Sequence, residues 1–209
     1  MITMMIYCKQ PGEEPIPITV RLKWLPDGTI HPLCYWLPDD SYHEIKYIHN
    51  MTPLKYLRDG GVGVRFKVST TAPGGQRSFR CDDKGIVLYD NCLYLADNRF
   101  CGKPFIDERY SHNAKEYIPI VIDVFPNGEY GLVSFWVQGV RYSVEKTLEV
   151  AKRGSFAAGG IGLRHKVEAR LVNEDDDECP DINNSVRRLA ALYFEVDKWW
   201  VGRSITAAE

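Results

Sequence analysis

The chain has 209 residues, 44% of them apolar, and a formal net charge of −2 from 26 basic and 28 acidic side chains. That apolar share supports one or two packed domains and excludes a largely disordered chain. The near balance of charge excludes a global field that would draw the protein to nucleic acid or to an acidic membrane.

Taken from the start, MITMMIYC at 1–8 is apolar, has no basic residues before it and is followed at once by KQPGEEP. It is too short for an export signal or an anchor, and no other stretch approaches a membrane-spanning length, so a soluble, cytoplasmic protein without a membrane partner is expected. The six cysteines then read as reduced, mostly buried thiols, because a chain of this size forms a core without staples.

The first clear element is a strand in which Val20, Leu22 and Trp24 alternate with Thr19, Arg21 and Lys23. PDG at 26–28 supplies a hairpin turn, and a return strand runs from Ile30 to Trp36, with a further strand at Tyr42. TPLKYLRD at 52–59 predicts one or two helical turns, with Thr52 as cap and Pro53 at the first helical position. Gly60 and Gly61 let the backbone reverse, and Gly63 suits a close approach of another strand or ring. Val64, Phe66 and Val68 then face inward while Arg65 and Lys67 face outward, and a closing hairpin turns at Asp97 and Asn98.

The same order returns in the second half. IPIVIDVFPNGEYGLVSFW at 118–136 echoes ITVRLKWLPDGTIHPLCYW at 18–36, pairing Pro26 with Pro126, Gly28 with Gly128, Trp36 with Trp136 and Tyr42 with Tyr142. AGGIGLRHKV at 158–167 echoes DGGVGVRFKV at 59–68, pairing Gly60, Gly61, Gly63 and Arg65 with Gly159, Gly160, Gly162 and Arg164. Tyr94 matches Tyr193 in the final hairpin. About a dozen identities at turns and on apolar faces predict a tandem duplication. The expected domains are 16–101 and 117–202, with 102–116 as linker. Each is a mainly β unit, a strongly curved antiparallel sheet or partly open β-barrel with very short helices. The glycines of the repeated phrase, together with Trp36, Trp136, Tyr42 and Tyr142, are expected to be structural.

This order of features, with G-G-I-G-x-R at 159–164 and the tryptophan pair Trp199 and Trp200 near the end, resembles a group of small bacterial proteins of unknown activity, about 80 residues long and so near the lower end of domain size. They look like single copies of the unit found twice here. The resemblance implies a small β-rich fold and no particular chemistry. The first copy departs from it where Arg99 and Phe100 stand in place of the tryptophans, so any function carried by those rings belongs to the second copy.

For chemistry, GGVG and GGIG are followed by a strand and lack the lysine and hydroxyl of a phosphate loop. Histidines 31, 43, 49, 112 and 165 form no metal-ligand spacing, and no C-x-x-C occurs. His165 replaces Phe66 on the inward face and reads as a packed ring. No nucleophile motif is present, so neither a catalytic residue nor a metal or cofactor is expected, and a small enzyme with an unrecognised site ranks last. The acidic segment NEDDDECPDINN at 173–184 lacks the alternating ligands and central glycine of a calcium loop and reads as a solvated excursion.

Binding remains. Arg65, Lys67, Arg164 and Lys166 form a candidate duplicated basic stripe, with Trp199 and Trp200 as candidate rings, a combination small barrels use for single-stranded nucleic acid. Against it, Arg21 and Lys23 become Val121 and Asp123, and the total charge is slightly acidic. The favoured expectation is therefore a non-enzymatic protein-interaction or structural module, with a protein partner or a second copy of the chain ahead of nucleic acid.

Overall fold

A computed structural model describes residues 4–8, 16–54, 62–70, 79–81, 87–97, 117–155, 160–172, 187–195, 198–202 and 205–207. These are mainly β. The strands in chain order are β1 (Met4–Cys8), β2 (Ile16–Pro17), β3 (Thr19–Trp24), β4 (Ile30–Trp36), β5 (Tyr42–Leu54), β6 (Val62–Thr70), β7 (Phe79–Cys81), β8 (Val87–Asp97), β9 (Ile120–Val124), β10 (Tyr130–Val137), β11 (Val140–Ser155), β12 (Gly160–Val172), β13 (Arg187–Glu195), β14 (Lys198–Val201) and β15 (Thr206–Ala207). Pairing is antiparallel and the strand path stays open, as the mainly β expectation of a sheet or partly open barrel allows. Among the described residues there is no helix, and none is long and apolar enough to cross a membrane.

The chain divides into two compact units, the first made of Met1–Leu22, Pro32–Gly102 and Asp123–Gly131, the second of Lys23–His31, Lys103–Ile122 and Leu132–Glu209. The sequence ranges 16–101 and 117–202 are continuous in the chain, whereas the compact units are not.

In the first unit, which holds β3 as far as Leu22 and β4 from Pro32, the strand order is β3-β4-β5-β6-β8-β1-β2, with β7 also on β8. Alternation along β3 buries Val20 and Leu22, and Tyr35, Phe66 and Val68 complete that core with Ile18. In the second unit the order is β9-β10-β11-β12-β13-β14, with β15 on β13. Its core collects Trp24, Ile118, Ile120, Ile122, Phe135, Val167, Leu192, Phe194 and Trp199. Trp199 lies 4.7 Å from Phe194 and 5.2 Å from His165, and Phe194 meets Trp24 edge-on at 5.5 Å. Each large side chain so buried contributes about 1.5–3 kcal/mol from removal of apolar surface from water.

The first hairpin turns follow their sequence. Gly28 and Gly128 adopt φ of 90° and 81°, as the fourth turn residue must when the strands re-pair across a bulge. Asp27 Oδ1 accepts from the Thr29 amide and Asn127 Oδ1 from that of Glu129. LPDDS at 37–41 builds this turn once more. Leu37 and Asp40 repeat the backbone bonds of Leu25 and Gly28, Asp39 Oδ1 accepts from the Ser41 amide, and Asp40 takes the left-handed position with φ of 62°.

That loop corrects one residue match. Trp36 pairs with Tyr42 around the five residues 37–41, whereas Trp136 pairs with Arg141 around a tight turn at Gln138 and Gly139, whose φ values are 51° and 80°. In register Tyr42 therefore corresponds to Arg141, and His43 to Tyr142. The ring pairs agree: Tyr35 stacks on His43 at 4.7 Å and Phe135 on Tyr142 at 5.2 Å. The offset of 99 begins in this loop.

From there each unit extends a long two-stranded arm. β5 pairs with β6 through Leu54 and Gly63, and β11 with β12 through Ser155 and Gly160. Thr52 and Pro53, expected to open a helix, are strand residues opposite Arg65 and Val64. Continuous pairing along the arm overrides the local cap signal, while 55–59 lie outside the described residues. Register shifts occur between Ile45 and Tyr47 and between Ile48 and Asn50 in the first arm, and between Val144 and Lys146 and between Thr147 and Glu149 in the second. Gly60, Gly61 and Gly159 lie outside the described residues, and Gly63 and Gly162 sit within the ladders.

A further difference is at the N-terminus. The apolar stretch before the expected domain start at residue 16 contributes β1, where Tyr7 pairs with Tyr94; in the second unit Trp200 of β14 pairs with Tyr193. The N-terminal strand thus takes beside β8 the place that β14 takes beside β13.

Candidate binding site: a cleft of cations and aromatic rings

The second unit carries an open cleft of about 270 Å³ lined by Lys23, Tyr117, Ile118, Pro119, Trp136, Gln138 and Gly139. Alternation explains its chemistry. Trp24 points into the core, so Lys23 emerges on the opposite side of β3, and its Nζ stands 4.8 Å from the centre of the Trp136 ring. Opposite Trp136 across the tight turn, Arg141 places its guanidinium carbon 5.5 Å from the same ring. Lys198 at the start of β14 lies 5.1 Å over Tyr117, itself bridged to Trp200. Among the described residues no carboxylate pairs with Lys23, Arg141 or Lys198. A cation over an exposed ring gains only about 0.5–1 kcal/mol, which leaves these three charges available to an anion.

The first unit has a related arrangement that satisfies itself. Arg21 lies 5.3 Å from the Trp36 ring, and Trp36 contacts Tyr42 at 5.6 Å. Arg21 donates from Nε to Asp123 Oδ1 at 2.7 Å and from Nη2 to Asp123 Oδ2 at 2.8 Å. These bonds raise the Arg21 pKa above its ordinary value despite the opposing effect of burial. Cys34, on the strand beside them, has a pKa pushed up by burial. The position that is Lys23 in one half of the sequence is Asp123 in the other, so one arrangement neutralises its own cation and the other does not.

The sequence-predicted residues are distributed differently. Trp199 is a core residue with no exposed surface, which corrects its assignment as a binding ring: it follows the apolar, inward phase of β14. Trp200, on the other face, stacks on Tyr193 at 4.1 Å, with Arg164 opposite Tyr193. Arg164 and Lys166 share this outer face, but Arg164 donates to Glu149 at 2.7 Å, and Lys166 pairs in register with Glu149. Nearby, Arg187 bridges Glu168 at 3.2 Å and Glu145 at 3.3 Å, and Arg170 reaches Glu145 at 3.8 Å. The face is a mixed-charge network. Arg65 and Lys67 are exposed on β6 and form no ion pair among the described residues.

Trp36 and Trp136, expected to be structural, are half-buried, and Tyr42 is 54% exposed. Lys23, Tyr117, Arg141 and Lys198 escaped the sequence reading because they are far apart in the chain. The Lys23 and Asp123 contrast was their one visible sign. His43 and His165 are both buried. Among the described residues no three His, Cys, Asp or Glu side chains cluster to hold a metal.

Compared with protein-family models, curated proteins and solved structures, the chain matches none.

Proposed function

We propose that the chain is a non-enzymatic protein-interaction module, a tandem pair of one β unit whose long arms take a protein partner or a second copy of the chain. The register shifts that recur at an offset of 99, at 45/47 and 48/50 and again at 144/146 and 147/149, support the tandem relation.

One observation carries the interaction reading: the apolar face of each unit continues past the point where burial stops. On β6, Phe66 and Val68 are fully buried, yet their partners on β5, Met51 and Ile48, are 44% and 39% exposed. On β12, His165 and Val167 are buried, while Val150 opposite His165 is 56% exposed and neighbouring Leu148 is 42% exposed. An uncovered apolar margin joined to a core is where a second surface adds burial without new desolvation of charge.

Sedimentation of the full chain across a concentration series tests this, with Val150→Lys and Met51→Lys as variants. Concentration-dependent association that both variants weaken supports the reading. A wild-type chain that stays monomeric, and whose binding in a cell extract is unaffected by either variant, refutes it.

A further inference from the structure

We propose that the Lys23, Trp136 and Arg141 cleft of the second unit binds single-stranded nucleic acid, with phosphates on Lys23, Arg141 and Lys198 and a base against Tyr117 or Trp136. This goes beyond the arm contacts and uses none of the exposed apolar side chains that carry them, Ile48, Met51, Leu148 and Val150.

Three observations lead there. Lys23 lines the cleft, and Arg141 and Lys198 stand over its two rings, Trp136 and Tyr117; no described carboxylate neutralises any of the three, whereas the comparable cation of the first unit, Arg21, is held by both oxygens of Asp123. The cations are held over two separate rings, an arrangement suited to successive phosphates rather than to one carboxylate. Both rings are accessible, Tyr117 at 39% and Trp136 in part, and planar bases stack on such surfaces with little regard to sequence. The outer face of β12 and β13 offers Trp200, Tyr193, Arg164 and Lys166 but answers its cations with Glu145, Glu149 and Glu168, so it is the weaker electrostatic site. A slightly acidic chain can hold a local footprint of this kind, because charges beyond about 10 Å are screened at 0.1 M salt.

The test is fluorescence anisotropy of labelled oligo-dT and oligo-U with the full chain at two salt concentrations. Three phosphate contacts on a single strand predict a slope of log affinity against log salt of about −2. The double variant Lys23→Gln/Arg141→Gln is expected to weaken binding at least about tenfold and flatten the slope, while Arg164→Gln/Lys166→Gln binds like wild type. Should the first variant fail to fold, Lys198→Gln carries the test alone, with a slope reduced by about 0.7. No binding to either polymer overturns the proposal, as does loss of binding in the Arg164/Lys166 variant alone. Competition by inorganic phosphate or a mononucleotide at equal phosphate concentration shows a small-anion site instead. Equal competition by polyglutamate shows an acidic protein ligand and equally overturns it.

Discussion

Replacing Asp123 by alanine removes the partner of both Arg21 hydrogen bonds while leaving the guanidinium over Trp36. An exposed ion pair contributes about 0.2–1 kcal/mol, and breaking a fully buried one costs about 3–5 kcal/mol. The present pair lies between these limits, since Asp123 is 18% exposed and Arg21 35%, and its two parallel charge-assisted bonds fix the geometry. A loss of about 2 kcal/mol is expected, which for a chain of this size lowers the melting temperature by about 4–8 °C. Thermal denaturation of Asp123→Ala, Arg21→Met and the double variant supplies a double-mutant cycle, with an expected coupling of at least about 1 kcal/mol. The coupling is expected to survive 1 M salt in large part, because a half-buried pair is screened less than an exposed one. A coupling indistinguishable from zero, or one abolished by salt, would refute the reasoning and with it the contrast between Asp123 and Lys23.

Two further outcomes concern single side chains. Gly128→Ala puts a Cβ at φ of 81° and is expected to cost about 1–2 kcal/mol, whereas Asp40→Gly, relieving a left-handed aspartate in the same kind of turn, is expected to add about 0.5–1 kcal/mol; urea denaturation reads both, and equal midpoints would refute the turn assignment. Burial holds the His43 pKa below its usual 6.5, so between pH 6.5 and that lower value the unfolded chain binds a proton the native one resists, and stability falls as pH falls through this window. His43→Phe, which keeps a ring on Tyr35, is expected to flatten that fall in urea melts; an unchanged pH dependence would sink the assignment.

Local signals decided much of this fold. The alternation of Val20, Leu22 and Trp24, the PDG and PNG turns, and the sidedness of Phe66 and Val68 against Arg65 and Lys67 are consequences of a two-residue period and of glycine's freedom at positive φ, both properties of short stretches. The tertiary structure decided what depends on pairing between distant residues. It made Thr52 and Pro53 part of a long arm, placed β1 beside β8, and gave Tyr42, opposite Trp36, the place that Arg141 rather than Tyr142 holds opposite Trp136. It sent Trp199 to the core, while Trp136 stayed half-exposed beneath two cations. Those outcomes rest on register, and a single residue more or less in the β4–β5 loop changes which side chain faces which. Lys23, Tyr117, Arg141 and Lys198 are distant in the chain, so only the folded sheet brings Lys23 and Tyr117 into one cleft and sets Arg141 and Lys198 over its rings.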